Sequence, residues 1–147
     1  MLEEFIDDEQ MGDIGSTQRF TDDFLAPDET GLNPEQRSAI EALPSASALL
    51  IVQRGPNEGA RFLLDQDVTT VGRHPNADIF LDDVTVSRRH AEFRRNGNKF
   101  MIHDLASLNG TYFDGVRIDS ALLDDGAEVQ IGKYKFTFFA SRADLDS

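Results

Sequence analysis

The feature that most restricts the fold is the succession, from Ala46 onward, of short apolar runs cut by closely spaced turn signals. Ala48-Leu49-Leu50-Ile51-Val52 stops at Gly55-Pro56-Asn57-Glu58-Gly59, and Arg61-Phe62-Leu63-Leu64 stops at Asp65-Gln66-Asp67. Runs this short, bounded by Gly, Pro, Asn and Asp, read as strands joined by turns. Thr69-Thr70-Val71 follows, then the very short run Ile79-Phe80-Leu81. Ala91 and Phe93 alternate with Glu92 and Arg94, Asn96-Gly97 supplies the two residues that a tight hairpin turn prefers, and Lys99 to Asp104 returns the chain. Thr111-Tyr112-Phe113, Asp114-Gly115 and Val116-Arg117-Ile118 repeat the arrangement. Tyr134, Phe136 and Phe138 alternate with Lys133, Lys135 and Thr137, the pattern of a half-buried strand with one aromatic face. Many short strands, close turns and no convincing helix predict an all-β sandwich or barrel, and alternation alone does not separate the two.

Ahead of Ala46 the chain changes character. Residues 1–45 hold 12 acids against Arg19 and Arg37, and residues 141–147 add a further charge of -1. The net charge of -13 therefore leaves only -2 for the middle. The acidity belongs to a tail, and the strand region keeps its arginines free to build a local positive site. From Met1 to about Thr30 no helical or alternating period is sustained, which predicts a disordered segment carrying scattered apolar residues (Phe5, Ile6, Phe20, Phe24, Leu25) suited to short linear recognition. Asn33-Pro34-Glu35-Gln36 has the order of a helix start, with Asn as cap and Pro at the first position, and Pro44 would end it. With Ile40 and Leu43 as its one apolar pair, that helix is marginal unless docked.

Composition removes several function classes. The acidic balance argues against nucleic acid, whose binders present a basic face to the phosphates. The absence of cysteine removes disulfides, thiolate metal sites and a cysteine nucleophile. The start, Met1-Leu2-Glu3-Glu4-Phe5-Ile6-Asp7-Asp8, carries acids where a leader needs cations, and no stretch approaches membrane-spanning length, so the expectation is a cytoplasmic protein without membrane contact; a monomer is expected as well. His74, His90 and His103 lack metal-ligand spacing, and Asp82-Asp83 and Asp124-Asp125 read as turn residues, so neither metal nor cofactor is expected. Ser87, His90 and Asp83 invite a hydrolase reading. Yet Ser87 and His90 lie three residues apart in a loop with no strand-turn-helix elbow, and the chain is not expected to be an enzyme.

Three polar clusters stand in or beside turns: Gly72-Arg73-His74, Ser87-Arg88-Arg89-His90 and Ser107-Leu108-Asn109-Gly110-Thr111. An arginine fork, a hydroxyl with an arginine beside it, and an amide together suit an anion and an adjacent peptide backbone. Gly-Arg, then Ser-x-x-His, then Asn-Gly resembles the signature of the forkhead-associated (FHA) domain, a phosphothreonine-binding β-sandwich. The resemblance implies an FHA-type sandwich over residues 46–140, a flexible acidic tail over residues 1–45 and a short C-terminal tail over residues 141–147. Within that family the chain is similar to small actinobacterial regulators of glycogen accumulation and inhibitors of 2-oxoglutarate dehydrogenase. The closer match is carried by Arg54-Gly55-Pro56-Asn57, Arg61 to Gln66, Gly72-Arg73-His74-Pro75, Asp78 through Phe93, and Val129-Gln130-Ile131-Gly132-Lys133.

The resemblance implies that Arg73 holds peptide or phosphate, Ser87 and Arg88 the phosphate oxygens, and Asn109 the peptide backbone. Gly72, His90 and Gly110 would support the loops. Leu108 stands where some members have a hydroxyl that contacts the peptide. In the tail, Ser16-Thr17-Gln18-Arg19-Phe20 followed by Asp23-Phe24-Leu25 resembles the regulators' phosphorylated segment, with Ser16 at the first of two acceptor positions and Thr17 at the second. Because FHA domains prefer phosphothreonine, Thr17 is the expected self-ligand, and Phe20 falls at a position such domains often read. Thr17 lies 29 residues before Ala46, and a flexible linker of that length spans on the order of 30 Å.

The implied function is a regulator that inhibits 2-oxoglutarate dehydrogenase, with glutamate dehydrogenase and glutamate synthase as further targets. It would be switched off when a serine/threonine protein kinase phosphorylates the tail and the tail occupies the chain's own site. The other reading is a phosphothreonine adaptor that recruits a kinase or another phosphorylated partner and has no metabolic enzyme target.

Overall fold

The computed structural model describes residues 31–145. Helix α1 (Pro34–Glu41) begins where Asn33 and Pro34 predict. The Asn33 side-chain oxygen accepts from the Gln36 N–H (2.8 Å), while Gln36 Oε1 accepts from the Asn33 N–H (3.1 Å), so two donors that the first turn would leave orphaned are satisfied reciprocally. The helix closes at Glu41, ahead of Pro44, with Ala42 N–H still bonded to Ser38 O.

Eleven strands follow among the described residues. They are β1 (Ala48–Arg54), β2 (Arg61–Leu64), β3 (Val68–Gly72), β4 (Ile79–Phe80), β5 (Ala91–Asn96), β6 (Lys99–Asp104), β7 (Thr111–Phe113), β8 (Val116–Ile118), β9 (Ser120–Leu122), β10 (Glu128–Ile131) and β11 (Tyr134–Ala140). One sheet has the order β8-β7-β10-β11-β1-β2 and the other β9-β6-β5-β3-β4. All pairings are antiparallel except β3 with β4, where Val71 faces Ile79. Two sheets with a common core make a sandwich.

Alternation sorts the core. Tyr134, Phe136 and Phe138 of β11 are buried between the sheets while Lys135 and Thr137 point away, as the sequence pattern predicts. Across the gap stand Val71 of β3, Ala91 and Phe93 of β5, and Phe100 and Ile102 of β6, all but closed to solvent. Phe100 and Phe138 meet with ring centroids 5.6 Å apart, and Phe62 packs edge-on to Phe136 at 6.2 Å. Burying one such ring stabilises the fold by about 1.5–3 kcal/mol. Strand β1 is buried on both faces, which is why it reads as a continuous apolar run rather than an alternating one.

Strands β9 and β10 were not among the runs that the turn pattern marked out. Strand β9 holds only three residues, with Leu122 half exposed, and exists through its pairing to β6, Ala121 facing Ile102. At that end of the sandwich the chain's entry and exit are tied together. Asp144, in a 3-10 turn (Arg142–Asp144), accepts from Ser45 Oγ (2.6 Å) and Ala46 N–H (2.8 Å). Ser141 Oγ donates to Leu43 O (2.9 Å), and Arg95 Nη1 of β5 donates to Ala46 O (2.9 Å).

Candidate functional site

At the opposite end of β5, three loops converge: Arg73 to Asp78, Leu81 to His90 and Leu105 to Gly110. Backbone bonds stitch them. Arg73 N–H donates to Ser87 O (3.0 Å), His90 N–H to Val71 O (3.0 Å) and Leu105 N–H to His90 O (2.9 Å). Gly72 is what lets the first two loops meet, since a Cβ there would lie 2.0 Å from Arg88 O and 2.8 Å from Arg88 C. Gly110 has φ +87°, a left-handed conformation that costs glycine least.

His90 is fully buried and ties the second loop to the third. Its Nδ1 accepts from Ser87 N–H (3.1 Å), which requires the proton to sit on Nε2, and Nε2–H donates to Gly110 O (2.9 Å). Burial pushes the imidazole pKa below its ordinary 6.5, against the raising effects of the Gly110 carbonyl and Asp104. The neutral form is therefore part of the fold. With the native pKa below the unfolded one, the unfolded chain binds more protons in between, and stability falls as pH drops below about 6.5. Urea midpoints measured from pH 7.5 to 5 should fall, and fall less in His90→Gln, whose amide presents an acceptor and a donor without titrating. A variant profile identical to that of the parent would remove His90 from the account.

Asp104 frames the third loop. Burial alone would raise its pKa, but bonds from Ser107 Oγ (2.5 Å), Thr111 Oγ1 (2.7 Å) and Ser107 N–H (3.1 Å), together with His90, leave it below the usual carboxylate range. Ser107 Oγ then accepts from Gly110 N–H at 3.0 Å. A second support that the sequence reading passed over is Thr85. Its hydroxyl donates to Asp83 and accepts from Lys133 N–H (3.0 Å), and Gly132 is held against it, where a Cβ would lie 2.4 Å from Thr85 Oγ1. Asp83 is kept ionised by the Thr85 hydroxyl and N–H, with Lys133 and Arg73 adding positive charge and burial opposing. The spacing Asp-x-Thr was the signal for this turn.

The structure brings Arg73, Ser87, Arg88 and Asn109 together on this frame, with what each has left to offer fixed by its internal bonds. Ser87 Oγ accepts from Leu108 N–H (3.0 Å), so its own proton is free to donate outward. Asn109 spends one amide hydrogen on Thr85 O (2.9 Å) and keeps Oδ1 and the second hydrogen. Arg73 and Arg88 are exposed, and neither forms a salt bridge with another described residue. Neighbouring loops thus offer two exposed guanidinium groups and an uncommitted hydroxyl proton, a donor set that suits an anion, and the third loop adds an amide able both to give and to accept. Arg89 is exposed beside them, and Leu108 is 84% exposed. Ser16 and Thr17 lie outside the described residues. Among the described residues no cluster of His, Asp and Glu has the arrangement of a metal site, and no helix is long and apolar enough to cross a membrane.

Comparison with known proteins agrees with this architecture. The FHA domain family matches residues 69–132. The chain is 54% identical over 138 residues to the glycogen accumulation regulator GarA of Mycolicibacterium smegmatis, covering 91% of this chain and 87% of that protein. It is 53% identical over 133 residues to the oxoglutarate dehydrogenase inhibitor of Corynebacterium glutamicum, covering 89% of this chain and 92% of that one. Among solved structures, an FHA domain studied for phosphothreonine-dependent interactions superposes with TM-score 0.59 at 29% identity, over 63% of this chain and 95% of its own. Mycobacterium tuberculosis EmbR in complex with a low-affinity phosphopeptide gives TM-score 0.62 at 31% identity, over 73% of this chain and 28% of its own. The sandwich of many short strands is therefore of the FHA type, and the chain belongs to the family of FHA-domain proteins that includes the glycogen accumulation regulators and oxoglutarate dehydrogenase inhibitors.

Proposed function

We propose that this chain is a non-catalytic, phosphothreonine-binding regulator that inhibits 2-oxoglutarate dehydrogenase while unphosphorylated and is switched off when Thr17, once phosphorylated, occupies the chain's own loops. The observation that carries the reading is the outward hydroxyl of Ser87, bracketed by the exposed Arg73 and Arg88 and by the half-committed amide of Asn109. Phosphorylation adds a charge of about -1.5 to -2 and three strong acceptor oxygens. The site offers the matching donors. The named activity of the relatives supplies the enzyme target, and glutamate dehydrogenase and glutamate synthase are further candidates.

Reach does not limit the switch. Residues 31–46 are held by the helix cap and by the ties of Leu43, Ser45 and Ala46, and the 14 residues from Thr17 to Gly31 would extend to roughly 50 Å at full stretch, beyond the size of a domain of about 100 residues. A tethered ligand acts at an effective concentration on the order of millimolar. A phosphopeptide of about micromolar affinity would then favour the closed form by roughly a thousandfold. Before phosphorylation that advantage is absent and the loops stay open to a partner.

The test is a proton-nitrogen NMR spectrum before and after treatment with a serine/threonine kinase, with the phosphosite mapped by mass spectrometry. Shifts at Arg73, Ser87, Arg88 and Asn109 that persist on dilution are expected, together with loss of inhibition of 2-oxoglutarate dehydrogenase. Thr17→Ala should inhibit before and after kinase treatment. Equal loss of inhibition in Thr17→Ala and in the parent would move the switch to another residue, and a protein that binds phosphopeptide but never inhibits would be an adaptor.

A further inference from the structure

Beside the loops lies a cavity of about 240 Å³ that none of these roles uses. It is lined by Thr70 and Val71 of β3, Ala77, Leu105, Arg88 and Arg89, with the first loop's His74 and Asn76. The wall formed by the first loop is held in shape from within, because Asn76 N–H donates to His74 Nδ1 (3.0 Å) and Ala77 N–H to His74 O (2.9 Å). Arg88 borders both spaces, so the cavity is continuous with the anion site. Asn109 and Leu108 belong to the other flank. Leu108 N–H is bonded to Ser87 Oγ, Asn109 reaches Thr85 O, and neither lines the cavity.

A partly open, mainly apolar space next to an anion site suits an aliphatic side chain carried by the segment that bears the anion. Volume is sufficient, since a cavity of about 150 Å³ admits benzene. We propose that this cavity is a second subsite that seats the side chain of Ile14 when phosphorylated Thr17 occupies the loops, an inference that rests on the phosphothreonine reading above. Ile14 is the one apolar residue among the five preceding Thr17. Three residues of extended chain cover about 10 Å, enough to pass from one side of Arg88 to the other. Asp13, its neighbour in sequence, matches the positive rim that Arg88 and Arg89 give the cavity. Phe20, equally far on the other side of Thr17, meets a different surface. That flank is open, with Leu108 exposed and the Arg117 guanidinium lying over Gly110, and a ring packs well on a guanidinium face.

The decisive measurement is a cycle of affinities between the unphosphorylated full-length protein and a synthetic peptide of residues 10–25 phosphorylated on Thr17. Ile14→Ala in the peptide should weaken binding about tenfold, the loss expected for one buried aliphatic side chain. Filling the cavity with Ala77→Leu should weaken the parent peptide to a similar degree and leave the Ile14→Ala peptide unchanged. Phe20→Ala should cost the same against either protein. No effect of Ile14→Ala, or losses that multiply across the cycle, would overturn the subsite. Coupling of Ala77→Leu to Phe20 instead would overturn its assignment to Ile14. Failure of the parent phosphopeptide to bind at all would overturn the phosphothreonine reading beneath it. A readout that needs no variant is the NMR of the kinase-treated protein, where contacts from the Ile14 methyls to those of Val71 and Leu105 are expected and their absence would sink the proposal.

Discussion

Arg73→Ala is expected to weaken phosphothreonine-peptide binding by about a hundredfold, and Arg73→Ala with Ser87→Ala to abolish it at accessible concentrations. Charge-assisted hydrogen bonds are worth about 1.5–3 kcal/mol each, and a forked arginine can make two to one phosphate. The arginine side chain is exposed and forms no salt bridge with a described residue, its charge reaching Asp83 only as a minor contribution, so its loss should leave stability within about 0.5 kcal/mol. Calorimetric titration beside a urea curve separates the two quantities. Ser87→Ala differs in kind. It removes the outward donor and also the acceptor that holds Leu108 N–H, so it should lower both affinity and the order of the third loop. A folded Arg73→Ala protein that binds as well as the parent would show that the anion is held elsewhere. An adaptor and an enzyme inhibitor both lose peptide binding in these variants; only inhibition of 2-oxoglutarate dehydrogenase, assayed in parallel, tells them apart.

Gly72→Ala is expected to have the largest effect on the fold. The new methyl would enter the space of the Arg88 carbonyl, where neither partner is a side chain that can swing aside. Relief requires β3 and the second loop to separate. That endangers the Arg73 N–H bond to Ser87 O and the Leu81 N–H bond to Gly72 O, both close to 3 Å. Overpacking of this kind costs about 1–3 kcal/mol, and each hydrogen bond lost adds roughly 1 kcal/mol, giving about 2–5 kcal/mol in all. Affinity for phosphopeptide should fall as well, measured where the variant is still folded, because Ser87 and Arg88 sit on the segment that must move. A variant within 0.5 kcal/mol of the parent and unimpaired in binding would mean that the two segments can part without consequence.

The legible part of this molecule is the part written in local chemistry. Asn96-Gly97, Asp114-Gly115 and the alternation of Tyr134, Phe136 and Phe138 each state a turn or a face within a few residues, and the structure places them so. Gly72-Arg73, Ser87 to His90 and Asn109-Gly110 were equally local, three short strings that the fold gathers at one end. What escaped was set by partners distant in the chain. Strand β9 has no period of its own and takes its form from β6. Thr85 looks like an ordinary turn threonine until Gly132 and Lys133, nearly fifty residues later, close on its hydroxyl. Asp144 reads as one more acid of an acidic chain, yet it is buried and bound to Ser45 and Ala46.

That last tie also decides where the chain leaves the sandwich. Ala46 is fastened beside Asp144 and Arg95, whereas the anion-facing loops lie beyond His90, at the other end of the six-residue strand β5. Ala46 itself therefore stands about the length of that strand, roughly 17–20 Å, from the loop that carries Ser87. Self-recognition is thus subject to a ruler, while a partner arriving from solution is not. Shortening the spacer past that threshold would leave the loops and their chemistry intact and make them accessible only in trans, so covalent length, rather than composition, is the quantity this architecture holds in check.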